Sequence, residues 1–504
     1  MSFPRLILAA LCAPLTLAGC SSLPVDLGRG DVVRDLSARG LAPPDAMPTA
    51  LTQAWLAEPL SLDRAIQIAL LNNPELRAQT ATLGLAAADV YEAGRLANPL
   101  LSASWLSAGS EPHAQLTLGI AVNFTDLLFL HTRSKIADAQ FESARLSVGG
   151  ATLDLAAEVE AAYRRVSAAT RQSQLQATLT RAAQASATLA QRYYAAGNLP
   201  LRDLALEQAA ASEAALDADS AGLELELARG DFSRLLGLPI DDKHWTLAES
   251  LALPAAQEDS TDALLKLAID TRLDLAAARR HAHAVAQGYG LTRHTRVLAD
   301  TEIGAQRERE YDGSVHAGPT LGLRLPLFDW GRGRTARGHA DLQIAEAAVR
   351  ARELDVIRDV KAADARVRTA RQRVDRYRHE LIPAREQVVE QTQRELNYML
   401  VDVFELLAVR QQGFAAYGAY IDALRDYWIA RAALARAVGR RLPSTPEAPE
   451  ALSFDLSRPQ LDATPDTQTP AAMQMPAMPG EHLLHHDEVA TPHHATPPGA
   501  RHEH

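Results

Sequence analysis

Apolar residues in the second half of the chain recur at alternating steps of four and three, which is the heptad pattern of a coiled-coil helix. The helical run from Arg334 to Ile382 would be roughly 70 Å long at about 1.5 Å per residue. We expect Pro383 to kink or end this helix, because proline has no amide hydrogen and its ring clashes with the preceding turn. The seam consists of Val349, Val356, Val360, Ala363, Val367, Ala370, Val374, Tyr377 and Leu381, with the alternating steps beginning at Val356.

The same seam occurs once more, roughly 200 residues earlier, which indicates an internal duplication. Leu76 and Leu275 also correspond at about this offset. We therefore predict two tandem copies, residues 59–250 and 251–443, each with a helix, two strands, a long helix, a tight break and a second long helix. Ser61 is the expected N-cap of the first helix. The earlier seam consists of Val148, Leu155, Val159, Ala162, Val166 and Ala169.

Between the first helix and the long helix of each copy, apolar and polar residues alternate with the period of a β-strand. Segments of about 9–11 residues suit a tilted membrane strand, although a half-buried soluble sheet would alternate in the same way. The smallest membrane barrels have about eight strands, so four strands would have to be completed by other protomers. The four apolar faces are Leu101, Ala103 and Trp105; Leu116, Leu118, Ile120, Val122 and Phe124; Val297, Ala299, Thr301 and Ile303; and Leu321, Leu323, Leu325 and Leu327.

Composition and charge restrict the possible functions. The formal net charge of −11 does not favour a nucleic-acid partner attracted by bulk charge. Both cysteines, Cys12 and Cys20, lie near the start of the chain, so the body has no disulfide or cysteine-based metal site. The sequence contains no nucleophile elbow, phosphate-binding loop or zinc-protease motif, and we predict no enzyme activity and no catalytic residue.

The N-terminus has the pattern of a secretory signal peptide over residues 1–19, with Arg5 before an apolar core. The sequence Leu17-Ala18-Gly19-Cys20 resembles a bacterial lipobox, in which Cys20 becomes the acylated first residue. An unmodified signal peptide with an incidental cysteine is the alternative. Residues 20–58 are expected to form an extended, lipidated tether.

Residues 444–504 lack apolar periodicity and are expected to be disordered. Thioethers favour Cu(I) and imidazoles favour copper and zinc, so the tail is a candidate for loose copper or zinc binding. A neutral low-complexity tail is the alternative, and we predict no other cofactor. The candidate ligands are Met473, Met475, Met478, His482, His485, His486, His493, His494, His502 and His504.

Short motifs follow one another in a fixed order through the body, from about residue 58 to 443. They are Pro59-Leu60-Ser61-Leu62, Ala69-Leu70-Leu71-Asn72-Asn73-Pro74-Glu75-Leu76, Asn98-Pro99-Leu100, Leu235-Leu236-Gly237-Leu238-Pro239, Gly318-Pro319 and Leu325-Pro326-Leu327-Phe328-Asp329-Trp330-Gly331-Arg332-Gly333. In these motifs and their order, the body resembles the TolC family of outer-membrane efflux channels, especially its lipoprotein branch.

This resemblance implies a mainly helical fold with a small β part. Long antiparallel coiled-coil helices come from two tandem repeats, and four transmembrane strands per protomer complete a twelve-stranded trimeric barrel. It also implies a homotrimer, a periplasmic adaptor, an inner-membrane pump of the resistance-nodulation-division type, and a lipid-anchored location in the outer membrane of a Gram-negative bacterium.

The helix-hairpin tips of the family meet the adaptor, and acidic residues often narrow its pore. Asp402 and Glu405 are the candidates for a pore constriction, with solvated helix-face carboxylates as the alternative. The corresponding tip residues are Gly197, Asn198, Leu199, Pro200, Tyr398, Met399, Leu400 and Val401.

The expected function is that of a passive exit duct in a tripartite efflux system, and the tail favours copper or another heavy metal as substrate. Two alternatives remain. The protein could export organic toxins or drugs, or it could be a lipid-anchored periplasmic scaffold or metal-binding lipoprotein that spans nothing.

Overall fold

The computed structural model describes residues 26–42, 49–107, 109, 114–240, 244–248, 251–295, 301–323 and 328–443. Long helices dominate, and a single four-stranded sheet accompanies them. The first part of the chain contains α1 (Arg29–Ser37), α2 (Thr49–Ala57), α3 (Leu62–Asn72), α4 (Pro74–Ala93), β1 (Leu100–Leu106), β2 (Gln115–Asn123), α5 (Phe124–Ala195) and α6 (Leu201–Leu236).

The second part repeats the order helix, helix, strand, strand, long helix, helix. The helical element after its second strand is interrupted by one π-helical turn. These elements are α7 (Thr261–Thr271), α8 (Leu273–Thr295), β3 (Thr301–Arg309), β4 (Val315–Leu323), α9 (Arg332–Arg376), the π-turn (Tyr377–Leu381), α10 (Ile382–Asn397) and α11 (Val403–Val438).

The heptad seams form the centres of two hydrophobic cores, which confirms the predicted coiled-coil character. All six seam residues of α5 are buried in a core with α3, α4 and α6, and the six from Val356 to Val374 are buried in a core with α7 and α11. Of the other predicted seam positions, Val349 and Tyr377 are half-buried and Leu381 is exposed. Helix α5 is 72 residues long, or roughly 110 Å. In the described residues, no helix has the length and apolar composition needed to cross a bilayer.

Of the two outcomes expected at Pro383, a kink or an end of the helix, the structure contradicts the second. The proline does not end the helical run, which passes through the π-turn and continues as α10 to Asn397. A π-turn closes its hydrogen bonds one residue further along, and such turns occur where the regular ladder is interrupted. Pro383 cannot donate to the ladder, and the wider turn just before it accommodates this gap without breaking the helix.

The N-terminal segment is not the extended tether expected for residues 20–58, because α1 and α2 are helical. Leu36 and Leu41, with 1% and 3% of their surface exposed, pack into the core built around α5. Arg39 Nε donates a hydrogen bond to the carbonyl oxygen of Thr271 at 3.0 Å. This part of the chain is therefore held against both copies.

Corresponding turns in the two copies end α6 and α11 with a left-handed glycine. Gly237 has φ 67° and Gly439 has φ 79°. A Cβ on Gly237 would lie 2.5 Å from the carbonyl oxygen of Asn72, and one on Gly439 would lie 3.0 Å from Cα of Arg272. Each glycine thus packs against the short link between the first two helices of its own copy.

Helices α3 and α4, the first two helices of the first copy, are each capped by the side chain of the residue that precedes them. Ser61 accepts a hydrogen bond from the amide of Arg64 at 3.4 Å and caps α3, as predicted. The Asn73 side chain accepts from the amide of Leu76 at 3.0 Å, and its amide group donates to the carbonyl oxygen of Leu235 at 3.0 Å. Asn73 thereby caps α4 and fixes it to the end of α6.

The four strands form one antiparallel sheet in the order β1-β2-β3-β4. The two second-copy strands reach further toward the turn between them than predicted, because β3 continues to Arg309 and β4 begins at Val315. Of the predicted strand residues, Val297, Ala299, Leu325 and Leu327 lie outside the described residues.

Candidate functional site

The register of the sheet places apolar and polar side chains on opposite faces. Residues directly opposite each other in an antiparallel pair point to the same side, so each face can be followed across all four strands. Leu101 pairs with Ile120, which pairs with Ala305, which in turn pairs with Pro319. The apolar face contains Leu101, Ala103, Trp105, Leu116, Leu118, Ile120, Val122, Ile303, Ala305, Val315, Ala317, Leu321 and Leu323, with Arg307 and Arg309 near one end.

The opposite face is polar and rich in glycine. A Cβ on Gly304 would lie 2.4 Å from the carbonyl oxygen of Ile120, so only glycine allows the strands this close approach. Gln115 donates a hydrogen bond to the carboxylate of Glu308 on this face. The face contains Ser102, Ser104, Gln115, Thr117, Gly119, Asn123, Glu302, Gly304, Gln306, Glu308, His316, Gly318, Thr320 and Gly322, together with Leu100, Leu106 and Ala121.

The sheet has no hydrophobic core of its own, although one face is apolar. All seven residues of β1 and all nine of β4 are exposed, and Leu101 and Trp105 have 74% and 71% of their surface uncovered. β1 and β4 are also the two edges of the sheet, each with an unpaired row of backbone groups in the monomer. In the monomer the sheet therefore has an uncovered apolar face and two unpaired edges.

The predicted tip of the first hairpin lies in the turn between α5 and α6. Gly197 has φ 78°, which suits glycine, and the amide of Asn198 donates to the carbonyl oxygen of Tyr193 at 2.9 Å. Gly197, Asn198 and Pro200 are exposed and Leu199 is half-buried. Pro200 stands directly before the first residue of α6.

The predicted tip of the second hairpin lies between α10 and α11 and is more apolar. Tyr398, Met399 and Leu400 have 78%, 93% and 73% of their surface exposed, and Val401 is half-buried. Met399 has φ 59°, a conformation that a non-glycine residue adopts at some cost. Three large apolar side chains held in solvent by a strained turn are typical of a contact surface.

The two tips lie at the same end of the molecule. Tyr193, near the end of α5, makes an edge-to-face contact with Phe404, at the start of α11, with 6.2 Å between ring centroids. The tips are therefore side by side and together form one end of the helical part.

The candidate constriction residues Asp402 and Glu405 lie at the start of α11, and both are exposed. Oδ1 of Asp402 accepts a hydrogen bond from the backbone amide of Glu405 at 2.8 Å, so Asp402 is the N-cap of this helix. The Asp402 carboxylate stabilises the N-terminus of α11 through this hydrogen bond and through the interaction of its negative charge with the helix dipole. The two negative charges are thus held close together beside the tip.

A polar cavity that the sequence analysis did not identify lies between α5, α6 and α11. It has a volume of about 370 Å³, and Gln172, Glu213, Asp217 and Asp422 are among its lining residues. Burial raises the pKa of Asp422, with the nearby charge of Asp426 acting in the same direction. The only sequence signal was the spacing of Glu213 and Asp217, four residues apart on one helix face.

A second feature missing from the sequence analysis links α10 to α11. The hydroxyl of Tyr417 donates a hydrogen bond to the carboxylate of Glu386. Burial and this bond together raise the pKa of Tyr417, so the phenol stays protonated. The bond joins the two helices of the second hairpin above its tip, and residues 31 positions apart could not be paired from sequence alone.

Two predicted sites cannot be placed in the fold. Cys20 and the methionine and histidine residues of the tail lie outside the described residues. Within the residues that are described, no group of three or more histidine, cysteine, aspartate or glutamate side chains is arranged to hold a metal ion.

Comparisons with known proteins agree with this geometry. Residues 264–440 match the sequence model of the outer membrane efflux protein family. No curated protein sequence matches the chain.

Solved structures share the fold at low sequence identity. The CmeC outer membrane channel of Campylobacter jejuni is 14% identical, with a TM-score of 0.64 over 79% of this chain and 87% of its own. The outer membrane protein VceC of Vibrio cholerae is 18% identical, with a TM-score of 0.60 over 75% of this chain and 96% of its own. The MtrE outer membrane channel of Neisseria gonorrhoeae, in its open state, is 17% identical, with a TM-score of 0.61 over 76% and 89%.

These neighbours are outer-membrane proteins, and those described by activity are channels rather than enzymes. The family match covers the second copy, from within α7 to just past the end of α11, and the shared fold extends over about three quarters of the chain. Residues 264–440 thus match the outer membrane efflux protein family, and the fold of the chain is similar to that of solved outer-membrane channels.

Proposed function

We propose that the protein is the outer-membrane exit duct of a tripartite efflux system and conducts its substrate passively out of the periplasm. The observation that supports this most strongly is the four-stranded sheet, with one apolar face, one polar face and two open edges. Unpaired edge strands are unfavourable in lipid, so a sheet of this kind needs neighbouring copies. Three protomers would supply twelve strands and close the ring.

The helices offer a matching surface for trimer formation. Leu216, Leu223 and Leu227 on α6 are exposed in the monomer, with 66%, 61% and 57% of their surface uncovered. Their steps of seven and four residues form a second apolar seam, on a helix that already uses another face within the protomer. We propose that this seam packs against a neighbouring protomer and that the helices form a periplasmic tube below the barrel.

The tips would then face the periplasm and meet an adaptor protein that connects the duct to an inner-membrane pump of the resistance-nodulation-division type. The exposed apolar side chains of Tyr398, Met399 and Leu400 support a protein contact at this end. The polar face of the sheet would line the lumen, where Glu302 and Glu308 contribute negative charge.

We propose Asp402 and Glu405 as the constriction, where three copies would place six carboxylates around one axis. Such a ring attracts cations and repels anions. Asparagine caps a helix about as well as aspartate, so Asp402→Asn removes the charge while keeping the cap.

The direct test is single-channel recording of the purified full-length protein in planar lipid bilayers. We expect discrete conductance steps with preference for cations, and we expect Asp402→Asn with Glu405→Gln to reduce that preference without lowering the trimer yield. The absence of channels from correctly formed trimers would refute the duct. Channels with unchanged ion preference in the double variant would refute the constriction and leave the duct intact.

Two finer proposals depend on the termini. We propose that Cys20 is acylated and gives a second attachment to the outer membrane. We also propose copper or another heavy metal as the exported substrate, supported by the methionines and histidines of residues 444–504. Mass spectrometry of the N-terminal peptide tests the first, and metal sensitivity of a deletion strain, compared with its sensitivity to organic toxins, tests the second.

A further inference from the structure

Charged side chains on β3 are sorted by sign between the two faces of the sheet. Arg307 and Arg309 lie on the apolar face, whereas Glu302 and Glu308 lie on the polar face. Both arginines are exposed. The sign of the charge alternates along the four consecutive residues Arg307 to Glu310. Solubility of the strand alone would not require this alternation.

The pairing register shows what surrounds the two guanidinium groups. Across the sheet, Arg307 lies between Leu118 and Ala317, and Arg309 lies between Leu116 and Val315. Among the described residues, neither arginine has an ion pair or a hydrogen bond from its side chain to a carboxylate.

A neighbouring protomer could not place a carboxylate directly beside them either. β3 is an inner strand, with β2 on one side and β4 on the other. A second copy can add only at β1 or β4, so its nearest strand would be roughly 10 Å from β3 at about 4.8 Å per strand. Neither the described residues nor the nearest strand of a neighbouring copy therefore places a carboxylate beside the two arginines, which leaves them open to an anion from outside the protein.

The position of the pair along the sheet identifies that source. Trp105, Leu116, Arg309 and Val315 form the last row of the apolar face, at the end of the sheet away from α5. Trp105 is 71% exposed, as expected for an aromatic residue at a membrane interface. Arg307 lies one row deeper, roughly 7 Å away, and its long side chain can extend toward the same level.

We propose that Arg307 and Arg309 form a binding site for the phosphate groups of outer-leaflet lipids, with Trp105 marking the depth of the headgroups. This inference rests on the proposed function, because it takes the apolar face as the lipid-facing side. Guanidinium groups bind phosphate through paired, charge-assisted hydrogen bonds. Two such positive charges about 7 Å apart favour a headgroup with a net negative charge over a zwitterionic one.

The test uses purified full-length trimers in detergent and measures binding of diphosphoryl lipid A by native mass spectrometry. We expect the variant Arg307→Gln with Arg309→Gln to bind this lipid roughly 30-fold more weakly than the wild type, with each arginine contributing a similar share. Glu308→Gln, between them on the opposite face, is the matched control and should bind normally.

A second measurement does not depend on any variant. Wild-type trimers should bind lipid A from which both phosphates have been removed as weakly as the double variant binds the phosphorylated form. Equal affinity for both lipids, or equal affinity of wild type and double variant, would overturn the inference. The conductance of the same samples in phosphatidylcholine bilayers distinguishes a failure of the lipid-binding site from a failure of the proposed duct. The double variant should still form channels in these bilayers.

Discussion

The two faces of the sheet can be compared most directly at adjacent positions of one strand. Leu321 lies on the apolar face opposite Ile303, with 69% of its surface exposed, and Thr320 lies on the polar face opposite Gly304. The substitutions Leu321→Arg and Thr320→Arg introduce the same side chain at the same depth. They differ only in which environment receives the charge.

The expected cost follows from the depth of Leu321. Arginine on the lipid face of a membrane strand costs about 2–4 kcal/mol at the bilayer midplane and about 0–1 kcal/mol near the interface. Leu321 lies one row further from the helices than Leu323, which ends β4. We therefore expect about 2 kcal/mol per protomer for Leu321→Arg, roughly a 30-fold effect on each insertion equilibrium, and a smaller loss for Leu323→Arg.

The assay is the amount of heat-modifiable trimer in outer-membrane fractions, read from unboiled gels. Thr320→Arg should give trimer close to the wild-type level, Leu323→Arg an intermediate level and Leu321→Arg the lowest. Equal yields for Leu321→Arg and Thr320→Arg would refute the assignment of lipid and lumen faces. A greater loss for Leu323→Arg than for Leu321→Arg would refute the depth assigned to the rows.

Three further predictions concern the helical part and the tail. In denaturant titrations, Gly237→Ala should lower the free energy of unfolding by about 1–3 kcal/mol, because the added Cβ strains a left-handed turn. The control Gly222→Ala places its Cβ in open space within a helix and should raise the free energy of unfolding by about 0.4–1 kcal/mol. Burial raises the pKa of Asp274, but its hydrogen bonds and ion pair with Arg272 outweigh this and lower the pKa overall. The stabilisation that this ion pair gives the folded protein should therefore be complete above the ordinary aspartate pKa, and it should decrease as the pH falls toward the lowered pKa of Asp274. The variant Arg272→Met should remove this pH dependence and lower the free energy of unfolding by about 1–2 kcal/mol near neutral pH. Truncation after Pro443 should preserve trimers and conductance but reduce copper or zinc tolerance in growth assays, and metal binding by the tail should weaken below about pH 6.5 as imidazoles become protonated.

The long helices were predictable because one period dominates their sequences. Every residue of the seam from Val356 to Val374 is buried, with at most 8% of its surface exposed. The N-terminal helix α1 was not predictable in this way, since only Val32 and Leu36 of its nine residues are buried. Two apolar positions define no period, and what holds α1 in place is contact with distant residues such as Phe141, which lies against Gly28.

The candidate site was predictable in its chemistry but not in its arrangement. Alternation along each strand placed Leu323 and Thr320 on opposite faces, as the register confirms. The arginines were not part of that prediction, because their significance depends on which residues lie beside them on β2 and β4. Register across strands is determined by pairing and turn geometry, and alternation within one strand carries no information about it.

The two copies share their order of elements but differ at the junction of strand and helix. β2 ends at Asn123 and α5 begins at the next residue, with the Asn123 side chain accepting hydrogen bonds from the amides of Thr125 and Asp126 at 2.9 and 3.3 Å. A rotation of the first hairpin must therefore turn β2 with it. In the second copy a turn with Gly331 at φ 71° precedes α9.

The second copy also contains the π-turn at Tyr377–Leu381, the kind of interruption at which long helices bend. The hairpin below it includes the strained turn at Met399 and the capped carboxylate of Asp402. A turn with Gly331 in the left-handed region also precedes α9, whereas α5 follows β2 without any such turn. The duplication thus provides one hairpin that continues directly from the sheet and one that is interrupted by a π-turn and preceded by a glycine turn.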